Sequence, residues 1–337
     1  MRADSDNTQA IGLKNTVFEG SNTVYLLGAD GTGPLTLVDA GFDAPDIRDQ
    51  LAAGIEATGH AVADVDQILL THYHGDHAGL AGWVQAESGA SIRIHEADAP
   101  VAAPDEAAYR DLRDRQEAAF EAWGMPEAKR EAVRVVLDEE MDLAAGDPEI
   151  EPIADSETVR AGPYDLTALH LPGHTAGHVG YHAADEGALW SGDALLPRYT
   201  PNVGGADVRL DGALAAYLGS LERIVDVSPE IAWPGHRDRI DDPVGRAREI
   251  VEHHRERTRR VIRVLRERGP ANAWAVSHEL FGELEAIHIL HGPGEASAHL
   301  EHLTDHGIAE RNDDGTYALV DPASGDDLDL DDLFPDV

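Results

Sequence analysis

The sequence predicts an α/β protein: two sheets packed face to face with helices outside them, a helical insertion, and a small C-terminal unit of helices and one hairpin. Three observations predict it. Through residue 236, short apolar runs rich in β-branched residues alternate with turn signals, which is strand patterning. Helical patterns separate some of these runs, and strand-rich halves with helices between them bury their apolar faces best as paired sheets covered by helices. From Arg246 the pattern becomes helical, with one hairpin signal near its end.

Taken in order, strands are expected at residues 23–27, 35–38, 67–70, 91–95, 165–171, 178–182, 188–190 and 230–233, and helices at 45–58 and 211–225. Residues 100–147 carry no strand signal and read as two helices, 107–123 and 126–143, broken at Gly124 with Pro126 opening the second. An insertion of that length either walls a pocket or lies on the surface as a hairpin. Beyond it come a long helix at 246–268, ended by Gly269 and Pro270, and shorter helices at 273–280 and 293–306. Residues 307–320 then form a hairpin turning at 312–315. Three helices followed by a hairpin is the order of a winged helix. The expected units are a catalytic domain over 11–245, a winged-helix-like unit over 246–320, and an acidic, disordered tail over 321–337.

Composition narrows the function. The formal charge of −38 comes from 64 acidic against 26 basic residues, and of the basic ones only Lys14 and Lys129 are lysines. Such a surface repels itself at low salt, so the acidity reads as halophilic adaptation to a salty cytoplasm. With no cysteine there is no disulfide, thiolate metal ligand or cysteine nucleophile, and any metal must sit on His, Asp or Glu. No apolar stretch reaches membrane-spanning length, and residues 1–20 lack the basic-then-apolar pattern of a secretory signal. A cytoplasmic protein without membrane contact is expected.

The chemistry concentrates in residues 71–80, THYHGDHAGL, directly after the apolar run 67–70. His72, His74, Asp76 and His77 are expected in a loop at the end of a buried strand, with Gly75 letting the backbone bend. Taken alone, such a cluster can also be an ordinary polar loop. Three further segments repeat one plan, a short strand, a tight Gly turn and a ligand-type side chain: LPGHT with His174, SGDA with Asp193 and WPGH with His236. Donors gathered from distant strand ends are how a scaffold builds a metal site. Imidazole and carboxylate suit Zn²⁺, with Fe²⁺ or Mn²⁺ as alternatives.

The pattern HxHxDH, then a distant His, an Asp and a His, resembles the metallo-β-lactamase-fold superfamily over residues 11–245. That resemblance implies an αββα sandwich with the site at one edge of its sheets. It assigns His72, His74 and His174 to one zinc ion, Asp76, His77 and His236 to a second, and Asp193 as the bridge. Asp76 and Asp193 would then take part in catalysis. Asp39, in LVDAG, matches a family aspartate and is expected to orient the site. Two such ions share and acidify a water that attacks a carbonyl carbon or phosphorus.

Branches needing a cysteine ligand are excluded, and flavodiiron proteins carry Glu where His74 stands. Asp193 fits the glyoxalase II, lactonase and nuclease branches. The C-terminal unit and the stretch LLPRYTPN, residues 195–202, are similar to the lactamase-β-like hydrolases, some of which act on single-stranded RNA. In that stretch Arg198 and Tyr199 are expected either to reach a substrate anion or developing oxyanion or to pack the loop.

The expected function is hydrolysis of a small ester or thioester in the manner of glyoxalase II. Alternatives are a single-strand ribonuclease, a one-iron persulfide dioxygenase and a DNA-binding regulator. Arginines 255, 257, 259, 260, 263, 266 and 268 give one helix a basic face. The third helix, however, carries Glu295, Glu301 and Asp305 and no Lys or Arg, unlike a recognition helix. A structural or homodimerising role is therefore favoured for this unit over nucleic-acid binding. The remaining histidines, among them His170, His178, His288 and His291, are expected to be structural, surface or core residues.

Overall fold

The computed structural model describes residues 7–14, 21–103, 105–141, 148–321 and 330–337. The first sheet holds β1 (Thr8–Leu13), β2 (Asn22–Leu27), β3 (Thr36–Val38), β4 (Gln67–Leu69), β5 (Ser91–His95) and β6 (Ile150–Ile153), in that spatial order. β1 to β3 are antiparallel, whereas β3 to β6 run parallel. The second sheet is ordered β11-β10-β9-β8-β7, with β7 (Thr158–Ala161), β8 (Tyr164–His170), β9 (Val179–Ala183), β10 (Ala188–Gly192) and β11 (Ile231–Pro234).

Side-chain alternation along β2 explains the layering. Tyr25 and Leu27 point inward, where Val38 and Leu69 join Leu166, Ala168, Tyr181 and Trp190 of the second sheet in an apolar seam. Val24 and Leu26 point outward, into a core completed by Ile47, Leu51 and Ile55 of α1 (Pro45–Glu56). The outer face of the second sheet, with Leu169, Leu189 and Ala232, is covered by Leu214, Tyr217 and Leu221 of α7 (Ala213–Val227). The result is the expected four-layer α/β arrangement.

Three strands escape the sequence patterning. β1 carries Gly12, which weakens a strand, while β6 contains Pro152, which argues against one. β6 is an edge strand, where a missing backbone donor is tolerated. β7 has four residues and also lies at an edge.

After α3 (Ala81–Ser88) and α4 (Ala99–Ala102), the insertion forms α5 (Glu106–Ala122) and α6 (Glu127–Met141). It packs against the C-terminal helices, with Trp274 N–H donating to Trp123 O at 2.9 Å and Lys129 Nζ to Leu284 O at 3.2 Å.

The C-terminal unit comprises α8 (Pro243–Arg268), α9 (Ala273–Phe281), α10 (His288–Asp305) and a hairpin of β12 (Ala309–Arg311) and β13 (Tyr317–Leu319). α8 begins before residue 246 because Asp242 accepts from Gly245 N–H as its cap and Pro243 occupies the first turn. α10 starts at His288 and carries Pro293 inside it, although Gly-Pro-Gly at 292–294 reads as a helix breaker. Its packing overrides that preference: 12 of its 18 residues are buried.

The expectation of a disordered tail fails for its last part. Leu330, Leu333 and Phe334 are buried in the core that holds α8 and α10, while 322–329 lie outside the described residues. No helix among the described residues is long and apolar enough to cross a membrane.

Candidate metal centre

All seven predicted donors converge at the ends of β4, β8, β10 and β11. The chain leaves β4 through Thr71 and His72, and α2 (Gly75–Ala78) follows. Asp76 and His77 therefore sit on a helical turn and not on a loop. Gly75 has no positive φ, and a Cβ there would meet only the Phe42 ring at 3.9 Å, so the bend does not depend on glycine. Glycine is needed elsewhere. Gly192, just before Asp193, has φ +48° and lies against Thr71, 2.6 Å from where a Cβ would be.

The donor atoms fall into two groups. His72 Nε2 lies 3.0 Å from His74 Nδ1, which lies 3.1 Å from His174 Nε2. In the second group His77 Nε2 and His236 Nε2 stand 3.6 and 3.4 Å from Asp76 Oδ2. Asp193 touches both: Oδ1 is 3.6 Å from His77 Nε2, and Oδ2 is 3.4 Å from His236 Nε2 and 3.8 Å from His174 Nε2. Tetrahedral ions with arms of about 2.0–2.1 Å need donors roughly 3.3 Å apart, so each group could hold one metal ion. His77 Nε2 and Asp193 Oδ1 are buried without a hydrogen-bond partner, an arrangement that a cation between them would satisfy.

Electrostatics divide the groups. Burial, reinforced by His174, pushes His74 down to about 3, and burial with His77 and His74 pushes His72 well below its ordinary value. These imidazoles are neutral, with lone pairs available. Burial works against the charged form of His236, but Asp193 and Asp76 raise it to about 10. His77 is likewise raised, against burial, by Asp76, Asp193 and Asp39. A metal entering this second group must displace protons.

A buried shell fixes the donors. Asp39, which has φ +61°, accepts from Thr71 N–H at 2.8 Å, Thr71 Oγ1–H at 3.0 Å and His77 Nδ1–H at 2.9 Å. Thr71 Oγ1 in turn accepts from His72 Nδ1–H at 3.0 Å. His174 Nδ1–H donates to Asn202 O at 2.9 Å, and Asn22 Nδ2–H donates to Asp76 Oδ2 at 3.0 Å. The bonds to Nδ1 of His72, His77 and His174 turn the Nε2 of each ring inward.

Sequence reasoning missed Thr71, Asn202 and Asn22, and it missed what His178 does: its Nε2 accepts from Asp193 N–H at 3.0 Å. It also missed Asp98 and Asp207. Asp98 accepts from Thr175 Oγ1–H and Gly177 N–H, and Asp207 accepts from Ala176 N–H, with Arg209 bound to both carboxylates. No motif marks Asp98 or Asp207, because each acts on the distant segment 175–177.

A cavity of about 590 Å³ opens onto the donors. Tyr109, Leu112, Arg113 and Gln116 of α5 and Leu137 of α6 line it, so the insertion is a pocket wall. Leu290, His291 and Glu295 of α10 line it too, as does the exposed His288. Leu196, Thr200, Pro201 and Asn202 contribute from the stretch 195–202, but Arg198 and Tyr199 are not in the wall. The Tyr199 ring is instead covered by the guanidiniums of Arg198 and Arg237.

A third cluster, His254, Glu295 and His299, is already engaged: Glu295 pairs with Arg257, and His299 bonds Thr258 Oγ1 at 2.8 Å. The expected basic face of α8 is largely neutralised. Arg255 pairs with Asp331, Arg257 with Glu295, Arg259 with Glu252 and Arg268 with Glu279.

Gly235 sits where a Cβ would lie 2.5 Å from His77 Cε1 and 2.6 Å from Asp193 Oδ1. Gly235→Ala is expected to push both donors aside and lower turnover by about a hundredfold, the scale of a misplacement of about 1 Å. Metal content measured on the same protein should fall with it, and wild-type values of both would refute the crowding.

Residues 17–236 match the family described as the metallo-beta-lactamase superfamily. The chain is 26% identical over 263 residues to a beta-lactamase-like protein 2 homolog of Drosophila melanogaster, covering 77% of this chain and 72% of the relative. It is 27% identical over 209 residues to a hydroxyacylglutathione hydrolase of Bdellovibrio bacteriovorus, covering 62% and 60%. The crystal structure of a metallo-beta-lactamase family protein from Thermus thermophilus superimposes with a TM-score of 0.80 at 28% identity, covering 94% of this chain and 99% of that one. With the donors gathered as described and the family matched over most of the sandwich, the chain belongs to the metallo-beta-lactamase superfamily, as a hydrolase of that group.

Proposed function

We propose that this chain is a dinuclear, zinc-dependent hydrolase of small esters or thioesters, close in chemistry to a hydroxyacyl-thiol hydrolase. What carries this reading is Asp193, whose two oxygens stand within reach of both donor groups at the floor of one cavity. His72, His74 and His174 would hold one ion, Asp76, His77 and His236 the other, and Asp193 would join them. When bound, such a pair acidifies a shared water and polarises the attacked carbonyl. The chain's own part is to fix the donors through Asp39, Asn22, Thr71 and Asn202, and to place the two carboxylates beside the water.

The wall supports a small-molecule substrate. Val101, Leu112, Leu137 and Leu290 suit an apolar acyl chain, and Tyr109, Arg113 and Gln116 offer polar groups that would orient it. The Bdellovibrio relative, named for a thioester substrate, agrees with this choice. Nucleic acid is disfavoured, because a buried α10 cannot enter a groove and the α8 arginines are mostly paired.

The test combines metal quantification with a panel of thioester, lactone and phosphodiester substrates in molar salt. Two zinc ions per chain and thioester turnover that vanishes in His74→Ala are expected. One iron per chain, or cleavage confined to phosphodiesters, would overturn the proposal.

A further inference from the structure

Arg237 follows the donor His236 directly and has φ +67°, a left-handed conformation that side chains other than glycine rarely adopt. Its surroundings impose that conformation. Ala232 and Ile240 exchange two backbone hydrogen bonds of 2.9 Å, closing the loop that contains it. Thr23 N–H binds Gly235 O at 2.8 Å, and Thr23 Oγ1–H binds Arg237 O at 3.2 Å. A glycine would hold the same turn without strain. Strain kept beside a reaction centre points to a use for the side chain.

Arg237 lines the cavity alongside His236, Asp76 and Asp193. Its guanidinium carbon lies 4.9 Å from the centre of the Tyr199 ring, which is 47% exposed. Arg198 approaches the same ring at 5.7 Å, and Arg246 Nη2–H fixes the Tyr199 carbonyl at 3.0 Å. Two guanidiniums on one anchored ring therefore stand beside the cavity of a chain whose net charge is −38. That charge repels anions at long range. In about 1 M salt the screening length shrinks to about 3 Å, so only direct contact can then recognise an anion. A guanidinium does this through its paired N–H groups.

We propose that Arg237 is an anion-binding residue beside the reaction centre, taking a carboxylate or phosphate carried by the substrate, with Tyr199 holding its guanidinium flat. This rests on the thioester-hydrolase reading above and adds to it the charge of the substrate.

The test compares wild type, Arg237→Gly and Arg237→Lys in molar salt, on matched thioesters bearing a neutral group, a carboxylate or a phosphate. In Arg237→Gly the ratio of kcat/KM for the charged over the neutral substrate should fall about tenfold or more, mainly through KM. Arg237→Lys should recover part of it, and whichever anion loses more is the natural one. Relief of strain should also raise the Tm of Arg237→Gly by about 1–2 °C. An unchanged ratio, or a lower Tm accompanied by equal losses on all three substrates, would overturn the assignment. Calorimetric binding of the corresponding non-hydrolysable thioethers separates the two readings. Charge-selective weakening in Arg237→Gly would uphold the anion site even if no thioester were turned over.

Discussion

On the proposed dinuclear reading, replacing Asp193 with Ala should lower turnover by about three orders of magnitude or more and reduce bound metal from two equivalents to one or fewer. The expectation follows from its position. No other carboxylate among the described residues lies within 4 Å of donors from both groups, since Asp76 meets only His77 and His236. Losing Asp193 also removes the main support for the raised pKa of His236 and a large part of that for His77. Asp193→Asn separates charge from shape. It keeps the backbone N–H that bonds His178 Nε2 and nearly the same volume, so the fold should survive while the second metal is lost. Metal content by mass spectrometry and kcat on the preferred thioester check both variants. Two retained equivalents with wild-type turnover would remove the bridging role.

The donors were legible in the sequence because chemistry forces rare residue types into short spacings. His72, His74, Asp76 and His77 lie within six positions, and His174, Asp193 and His236 each follow a Gly turn. The geometry around them was less legible. Gly75 looked like the hinge, yet the glycines that fit tightly are those whose neighbours come from elsewhere in the chain, Gly192 against Thr71 and Gly235 against His77. Spacing along one segment cannot reveal contact with another.

The same limit applies at residues 198 and 199, where substrate contact and loop packing were both open. Arg198 and Tyr199 were singled out by local resemblance, but Arg246 turns the Tyr199 backbone and the ring carries Arg237 beside the cavity. In the fold, edge strands and α10 were hardest to read. Pro152 is tolerated only because β6 lies at an edge, and Pro293 because tertiary burial of α10 outweighs one lost helical hydrogen bond. The tail looked like a solvated acidic run, although Leu330, Leu333 and Phe334 supply enough apolar surface to dock its end.

Asp39 offers the second large effect, in stability as well as in metal affinity. Its carboxylate serves three donors in a buried place, and Asp39→Ala would leave Thr71 N–H, Thr71 Oγ1–H and His77 Nδ1–H without their acceptor. One buried unsatisfied group costs about 1–3 kcal/mol, so a loss of about 3 kcal/mol or more and a Tm lower by about 6–10 °C are expected. His77, no longer held in its tautomer, should bind metal about 10–100-fold more weakly. The left-handed backbone at Asp39 supplies the control. Alanine keeps the strain of φ +61° and loses the carboxylate, whereas glycine relieves the strain and loses the carboxylate all the same. If the carboxylate matters, Asp39→Gly recovers part of the stability lost in Asp39→Ala but none of the metal affinity. If metal affinity returned with glycine, backbone geometry alone would account for an aspartate at this position, and the chain from Asp39 through His77 to the metal would be broken.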